Sequence, residues 1–406
     1  MKIEKILHEE SCQILEDIGI KCETENPKII KTFENTGYAA FDSNTKRIHI
    51  LRPLIDEALK TTPKRNEFIV PEKSFGSGGT APYIYNEDIR DWIQPDVKIH
   101  VAQIAKIAEK YKLPFIFRGT GKQHDEYEDT EQVKVMRKHY NGFIYLYVAT
   151  EPGVMAIKKE YEKTRMTCST HSIFYSPLAV NDNGPNFPIY FRCVEEGLPI
   201  YLVTMPILRI NAPATIYGLA MQCHAEFLAG LCLTQTLNPG IMTLHAGYPL
   251  ASNMSDNYNI NFGSIAHNFV NLSVAHVAKY LDLPSIQSGF TTNNHHPEST
   301  TEKDVVRAYK FWNNAEGWHQ ARHCFGFVEY QIAFSIPKME RDIQALHKVL
   351  EENEKMIIPE LEYDDGAISV IADCAPVGNF LSHAHTLKNL NAFNEDFYHK
   401  YLEEDI

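Results

Sequence analysis

The sequence predicts an α/β protein built on a closed (β/α)8 barrel, a TIM barrel, with a small helical N-terminal extension and a C-terminal tail. Three observations point there. Pro199–Pro249 reads as strand, loop, helix, strand, the pattern of a parallel crossover. From about Pro82 onward, apolar strand runs alternate with helical patterns, eight of each. No GxGxxG or GxxxxGKS follows a strand run, which turns the reading away from nucleotide-binding sheets.

The elements follow in order. Lys2–Gly19 is amphipathic, with Ile3, Ile6, Leu7, Ile14, Leu15 and Ile18 on one helical face. Pro27–Thr36 is a second helix, its proline in the tolerated first turn. Arg47–Leu51 is a short strand, and Pro53–Thr62 a third helix stopped by Pro63. The strand runs are Tyr83–Tyr85, Pro114–Arg118, Phe143–Val148, Thr167–Tyr175, Ile200–Met205, Ile241–His245, Ser285–Phe290 and Cys324–Tyr330. The helices are Lys98–Lys110, Glu128–His139, Val154–Glu162, Pro188–Glu196, Ala214–Leu237, Ser264–Leu281, Thr301–Arg322 and Pro337–Lys355. Asn238-Pro239-Gly240 ends the long one. The expected division is residues 1–80 as an N-terminal helical cap, 81–356 as the barrel and 357–406 as an extension packing on it.

Composition narrows the function. The net charge of −13 lacks the clustered Lys and Arg that a nucleic-acid surface needs. The eight cysteines are scattered without a CxxC pair, as reduced core thiols are. No uncharged run of about eighteen apolar residues marks a membrane span. Met1-Lys2-Ile3-Glu4 leads straight into a helix, so a cytoplasmic location is expected.

Chemistry in such a fold sits in loops beyond the strand C-termini, here Met205–Asn211 and His245–Tyr248. The 18 histidines include the close pairs His295-His296, His383/His385 and His319/His323. His319 and His323 share a helix face if the helix persists that far; the plain reading of each pair is structural or surface. Tyr and Phe number 21 each, and many fall near strand ends. An aromatic-lined mouth can hold a quaternary cation at roughly 0.5–2 kcal/mol per ring, although barrels also pack aromatics between strands and helices. Glu329, in GFVEYQ, is either a counter-charge at the mouth or an ion-pair partner of Arg118, Arg209 or Arg322. No GxSxG elbow accompanies Ser172 or Ser176.

The block TMPILRINAPATIYGLAMQCHAEFLAGLCLTQTLNPG resembles the trimethylamine methyltransferase superfamily. So do HEESCQILEDIGIKCE, RPLIDEALKTTPK, SPLAVND, FGSIAHNFVNLSVAHVAKYLDLPS and GNFLSHAHTLKNL, in order along nearly the whole chain. The resemblance implies a (β/α)8 barrel that passes a methyl group from a methylated amine to the cobalt of a cognate corrinoid protein, in one-carbon metabolism. The region HAGYPLASNMSDNYNINFGS shows no nonstandard residue, so the chain is similar to the non-pyrrolysine branch, which includes glycine betaine methyltransferases. It departs from the family in the bulkier Leu208-Arg209-Ile210-Asn211, in Asn293, Asn294, His295 and His296, and in looking short at both ends.

Methyl transfer from a quaternary ammonium ion releases a neutral tertiary amine, so the leaving group needs no general acid. The site has to bind the cation and orient one methyl toward the acceptor. The expected cage is Tyr83, Phe174, Tyr175, Tyr248 and Phe290, with Glu329 as counter-charge and His245 as polar anchor. Arg118 or Arg209 is the expected clamp for a substrate carboxylate. No tightly bound metal is expected, and the chain is expected to be a homo-oligomer. Two alternatives stay open: a zinc-dependent barrel transferase or lyase using His295, His296, His323 and Cys324, and a non-catalytic paralogue that binds a methylated amine.

Overall fold

The computed structural model describes residues 2–71, 74–77, 81–117, 126–181, 186–253, 259–260, 262–288, 302–314, 320–322, 324–350, 355 and 358–390. Eight parallel strands form two ladders. We number them β1 (Ser74–Phe75), β2 (Phe115–Phe117), β3 (Phe143–Leu146), β4 (Thr167–His171), β5 (Ile200–Thr204), β6 (Thr243–Gly247), β7 (Ile286–Ser288) and β8 (Gln320–Arg322). One ladder runs β2-β3-β4-β5-β6 and the other β7-β8-β1. Two single parallel bridges link them, His245 to Ser285 and Ser77 to Ile116.

The inner strands match the apolar runs of the sequence, but the first and last do not. Tyr83–Asn86 is instead one arm of an antiparallel hairpin with Asp91–Ile93 and pairs with Ala333–Phe334. The ladder begins ahead of it, at Ser74, before the expected barrel boundary at 81. The expected last strand, Cys324–Tyr330, is a turn and a second hairpin, Phe327–Val328 against Ala333–Phe334. The strand in its place, β8, falls within the expected helix Thr301–Arg322, which ends at Trp312 before Asn313-Asn314. His319 and His323, expected to share a face only if that helix persisted, lie outside the described residues.

Strand periodicity divides the core in two. Phe115 and Phe117, Phe143 and Tyr145, Tyr201 and Val203, Leu244 and Ala246, and Ile286 belong to one buried cluster. Their neighbours Ile116, Ile144, Leu146, Ile200, Leu202 and Ala321 belong to the other, with the covering helices. Successive side chains of a strand point to opposite faces, so each strand feeds an inner and an outer core.

The outer core centres on the helix Ile216–Leu237. With α1 for Ile3–Asp17, we call it α2, and α3 for Ile265–Tyr280. Thr215 caps α2, its Oγ1 accepting from Gly218 N at 3.2 Å. Every residue from Ile216 to Gln235 is buried. It packs on β5 and β6 on one side and on α1, α3 and the helices Pro27–Glu34 and Arg52–Thr61 on others. It is long and apolar enough to cross a membrane by length and composition, and the whole of that stretch is buried within the protein. A helix apolar all round has protein all round. The N-terminal segment is thus the outer wall of α2. Its strands Ile20–Lys21, Arg47–Ile50 and Ala39–Asp42 also extend a sheet begun by the hairpin Phe174–Tyr175/Ala179–Val180 after β4.

Candidate functional site

The inner face is rich in aromatic rings. Phe117 stacks on Tyr145 with ring centroids 4.8 Å apart, and Tyr201 lies 5.7 Å from Phe117 and 5.5 Å from Tyr145. Tyr248, just beyond β6, is held by its backbone N–H to Thr204 O at 2.8 Å. Its hydroxyl donates to Gln331 Oε1. Gln331 belongs to an uncommon turn: Glu329, Tyr330 and Gln331 have φ of 47°, 53° and 66° in succession. Left-handed backbone at non-glycine residues is held only where its surroundings determine it, and it concentrates at functional sites. Here the turn presses Tyr330 onto the inner cluster and carries Gln331 to Tyr248.

Arg322 ends β8 inside this aromatic set, beside Ser288 in register. It is 3% exposed. Its Cζ stands 4.4 Å from the Tyr248 ring centroid, 4.9 Å from Tyr201 and 5.8 Å from Phe117. Its Nε and Nη2 make no hydrogen bond among the described residues. Burial pulls the guanidinium down to about 9, so it is still charged at neutral pH. Two buried hydroxyls of the same face are also without partners, Tyr201 Oη and Thr170 Oγ1, on residues paired in register across β5 and β4.

The outer face holds polar groups of a different kind. His8 of α1, His224 of α2 and His245 of β6 form a chain. His8 Nδ1 meets His224 Nε2 at 3.0 Å, and His224 Nδ1 meets His245 Nε2 at 2.9 Å. Phe227 stacks on His245 at 3.9 Å between centroids. Burial lowers His8 to about 4 and His245 to about 3, and pushes His224 well below its ordinary range, so all three are neutral. Glu226 of α2 accepts from Ser176 Oγ at 2.8 Å, Leu178 N at 3.0 Å and Gln222 Nε2 at 3.2 Å. Burial raises it to about 7 despite those bonds. It ties the loop after β4 to α2, while Asn211 Nδ2 joins that loop to the one after β5 through Ser176 O.

The expected site residues are not all brought together. Tyr248 lies at the inner aromatic set. Glu329 opens the left-handed turn beside it, half-buried. Tyr83 and Tyr175 are exposed, and Phe174 packs into the outer core against Gly230 of α2. The correction has one cause: Tyr83 and the Phe174–Tyr175 pair sit in side hairpins, not on the parallel strands. His245 is one residue out of phase with Leu244 and Ala246 and so faces the helices. Arg209, in left-handed backbone with φ 69°, is buried in the loop after β5 with Nη1 at 3.4 Å from Ser252 O. Arg118 and Phe290 lie outside the described residues, as do His295, His296 and His323 of the zinc alternative. Cys324 is a buried thiol that donates to Ala321 O at 3.0 Å, and burial raises it far above its usual range. Among the described residues no three His, Cys, Asp or Glu side chains gather as a metal site. Phe117 is one of the aromatics read near strand ends; the residues missed are Tyr145, Tyr201 and above all Arg322. Nothing local in the sequence singles out Arg322, which stands among His319, Gln320 and His323.

Aromatic rings thus gather around one buried cation on the inner face of the parallel strands of an α/β protein. The chain matches the family described as trimethylamine methyltransferase (MTTB) over residues 158–405, more than half its length, and belongs to that methyltransferase family. It is 22% identical to the glycine betaine methyltransferase of Desulfitobacterium hafniense strain Y51 over 414 residues, covering 96% of this chain and 83% of that one. It is 21% identical to the proline betaine:corrinoid methyltransferase of Eubacterium limosum, covering 93% and 82%. It is 20% identical to the trimethylamine methyltransferase MttB of D. hafniense strain DCB-2, covering 95% and 80%. Among solved structures, a truncated 3-deoxy-D-arabino-heptulosonate 7-phosphate synthase from Thermotoga maritima aligns at TM-score 0.40 and 9% identity, over 70% of this chain and 88% of that one, a likeness too loose to carry an argument.

Proposed function

We propose that this protein moves a methyl group from a quaternary, or otherwise methylated, amine such as a betaine to a corrinoid carried by a partner protein. In this reading the eight parallel strands close into one (β/α)8 barrel, and the donor sits at their C-terminal ends. The two single bridges between the ladders support closure, because they join the remaining neighbours, β6 to β7 and the end of β1 to β2. Family membership and the names of the relatives support the chemistry.

The observation that carries the reading is the inner aromatic set of Phe117, Tyr145, Tyr201 and Tyr248. Ring faces attract a methylated cation without hydrogen bonds, at roughly 0.5–2 kcal/mol each once water is excluded. The corrinoid supplies the nucleophile that accepts the methyl. The C–N bond breaks with its electron pair left on nitrogen, so the amine departs neutral and the protein has no proton to deliver. Its work is to bind, orient and keep the donor dry.

The test is a panel of quaternary amines, tertiary amines and sulfonium compounds, offered with reduced free cobalamin and with reduced corrinoid protein. Methylcobalamin formation is followed spectroscopically. Transfer from a quaternary donor is the expected result. Transfer from none of the panel with either acceptor overturns the reading.

A further inference from the structure

We propose that Arg322 is the seat of an anionic group on the methyl donor, a carboxylate in the first instance, so that the substrate of this site is a zwitterion. The proposal rests on the methyl-transfer reading for the word donor, but its physical basis is separate.

A buried charge without a partner is unfavourable by several kcal/mol, and proteins keep one where something else supplies the counter-charge. Lys338 obeys that rule: its Nζ lies 2.5 Å from Asp342 Oδ2, both side chains almost wholly buried. Arg47 and Arg209 are met by backbone carbonyls instead, Arg47 donating from Nη1 to Gly19 O at 2.8 Å and Arg209 from Nη1 to Ser252 O at 3.4 Å. Arg322 is as buried as these, yet Nε and Nη2 have no acceptor, and no carboxylate among the described residues lies within ion-pair distance. The three rings around it stabilise positive charge through their faces but accept no hydrogen bond in the guanidinium plane. Nε and one terminal nitrogen form the fork that a carboxylate matches with two parallel bonds.

The neighbouring groups fit the same ligand. Tyr201 Oη and Thr170 Oγ1 are buried donors without partners. The Tyr201 ring already lies 4.9 Å from the guanidinium, so its hydroxyl belongs to the same small region. Like-charge repulsion then sets the orientation. The carboxylate turns to Arg322, and the methylammonium turns away from it toward the remaining ring surface. A fixed carboxylate thus aims the methyl groups, which a site made of rings alone cannot do.

Calorimetric binding to the whole protein tests this with matched ligands: glycine betaine, its sulfonate analogue, and choline, which keeps the cation and lacks the anion. The wild-type protein is expected to bind glycine betaine at least on the order of 10-fold more tightly than choline. Arg322→Met is expected to weaken glycine betaine on the order of 100-fold and to leave choline within a few-fold. Arg322→Lys, a charge without the fork, is expected to fall between. Sulfonate binding as tight as carboxylate widens the class to oxyanions and keeps the seat. Equal wild-type affinity for betaine and choline overturns the proposal without need of a variant, as does full betaine affinity in a folded Arg322→Met protein. If Arg322-dependent binding is found but no donor methylates a corrinoid, the anion seat stands and the methyl-transfer reading fails. If donors with and without carboxylates transfer equally well, the seat fails and the reading stands.

Discussion

The two faces of the parallel sheet treat polar groups differently. On the outer face, His8, His224 and His245 bond to one another in a chain that leaves Nδ1 of His245 over, and Glu226 collects three donors from one loop and its own helix. On the inner face, Arg322, Tyr201 and Thr170 have polar atoms without a hydrogen-bond partner among the described residues. The outer groups join covering helices to the sheet, so their bonds are internal. The inner groups are left open, as groups awaiting a ligand are. Buried polar atoms are informative mainly through this difference, since burial alone is common to both sets.

The strongest way to break the outer set is acid. His8, His171, His224, His245 and His267 all have their pKa lowered by burial. Below the ordinary histidine pKa of 6.5 the unfolded chain takes up protons that the native one refuses. Stability present above pH 6.5 is therefore lost as pH falls, by about 1.4 kcal/mol per pH unit per histidine. Urea midpoints measured from pH 7 down to pH 4 are expected to drop steeply; a flat profile would show that these histidines are protonated in place.

Lys338→Met comes next. It strands Asp342, which also accepts from Gly326 N at 2.9 Å, and is expected to destabilise by about 3–5 kcal/mol in equilibrium unfolding. Arg322→Met sharpens the contrast, because removing a cation that has no partner is expected to leave stability unchanged or raised.

Glu226→Gln has a smaller effect of opposite pH sign to the histidines. With its folded pKa raised from 4.5 to about 7, Glu226 contributes stability that is fully present below pH 4.5 and lost as pH rises through 7. The variant is expected to gain on the wild type by up to about 3 kcal/mol between pH 4.5 and pH 8, read as the difference of their unfolding free energies. No change in that difference would mean that the hydrogen bonds to the carboxylate outweigh its burial.

Tyr248→Phe is the mildest. It keeps the ring over Arg322 and loses the hydroxyl bond to Gln331, so about 1 kcal/mol of stability is expected to go and donor affinity to change by less than about threefold. Tyr248→Leu, which removes the ring, should weaken a quaternary donor more than the Phe variant does.

The sequence made the middle of the fold readable and its seam unreadable. β2 to β7 announce themselves as apolar runs between helices, because both faces of each strand are buried. β1 and β8 are two and three residues long, carry Ser74, Gln320 and Arg322, and pair across most of the chain's length, so no local pattern betrays them. The site suffered from the same gap. Aromatics at strand ends were expected, and Tyr248 is among them. Which ring faces inward depends on a one-residue phase that puts Leu244 on one side and His245 on the other. Arg322 looks in sequence like any surface arginine, and only the rings packed around it make it singular.

The docking of α1 on α2 sets an order of events for the newly made chain. His8 and the residue it bonds, His224, are 216 positions apart. At a synthesis rate of about 5–20 residues per second, the first helix waits roughly 10–40 seconds on the ribosome for the surface that buries Leu7, Ile14 and Leu15. Its apolar face is a natural client for a chaperone in the interval.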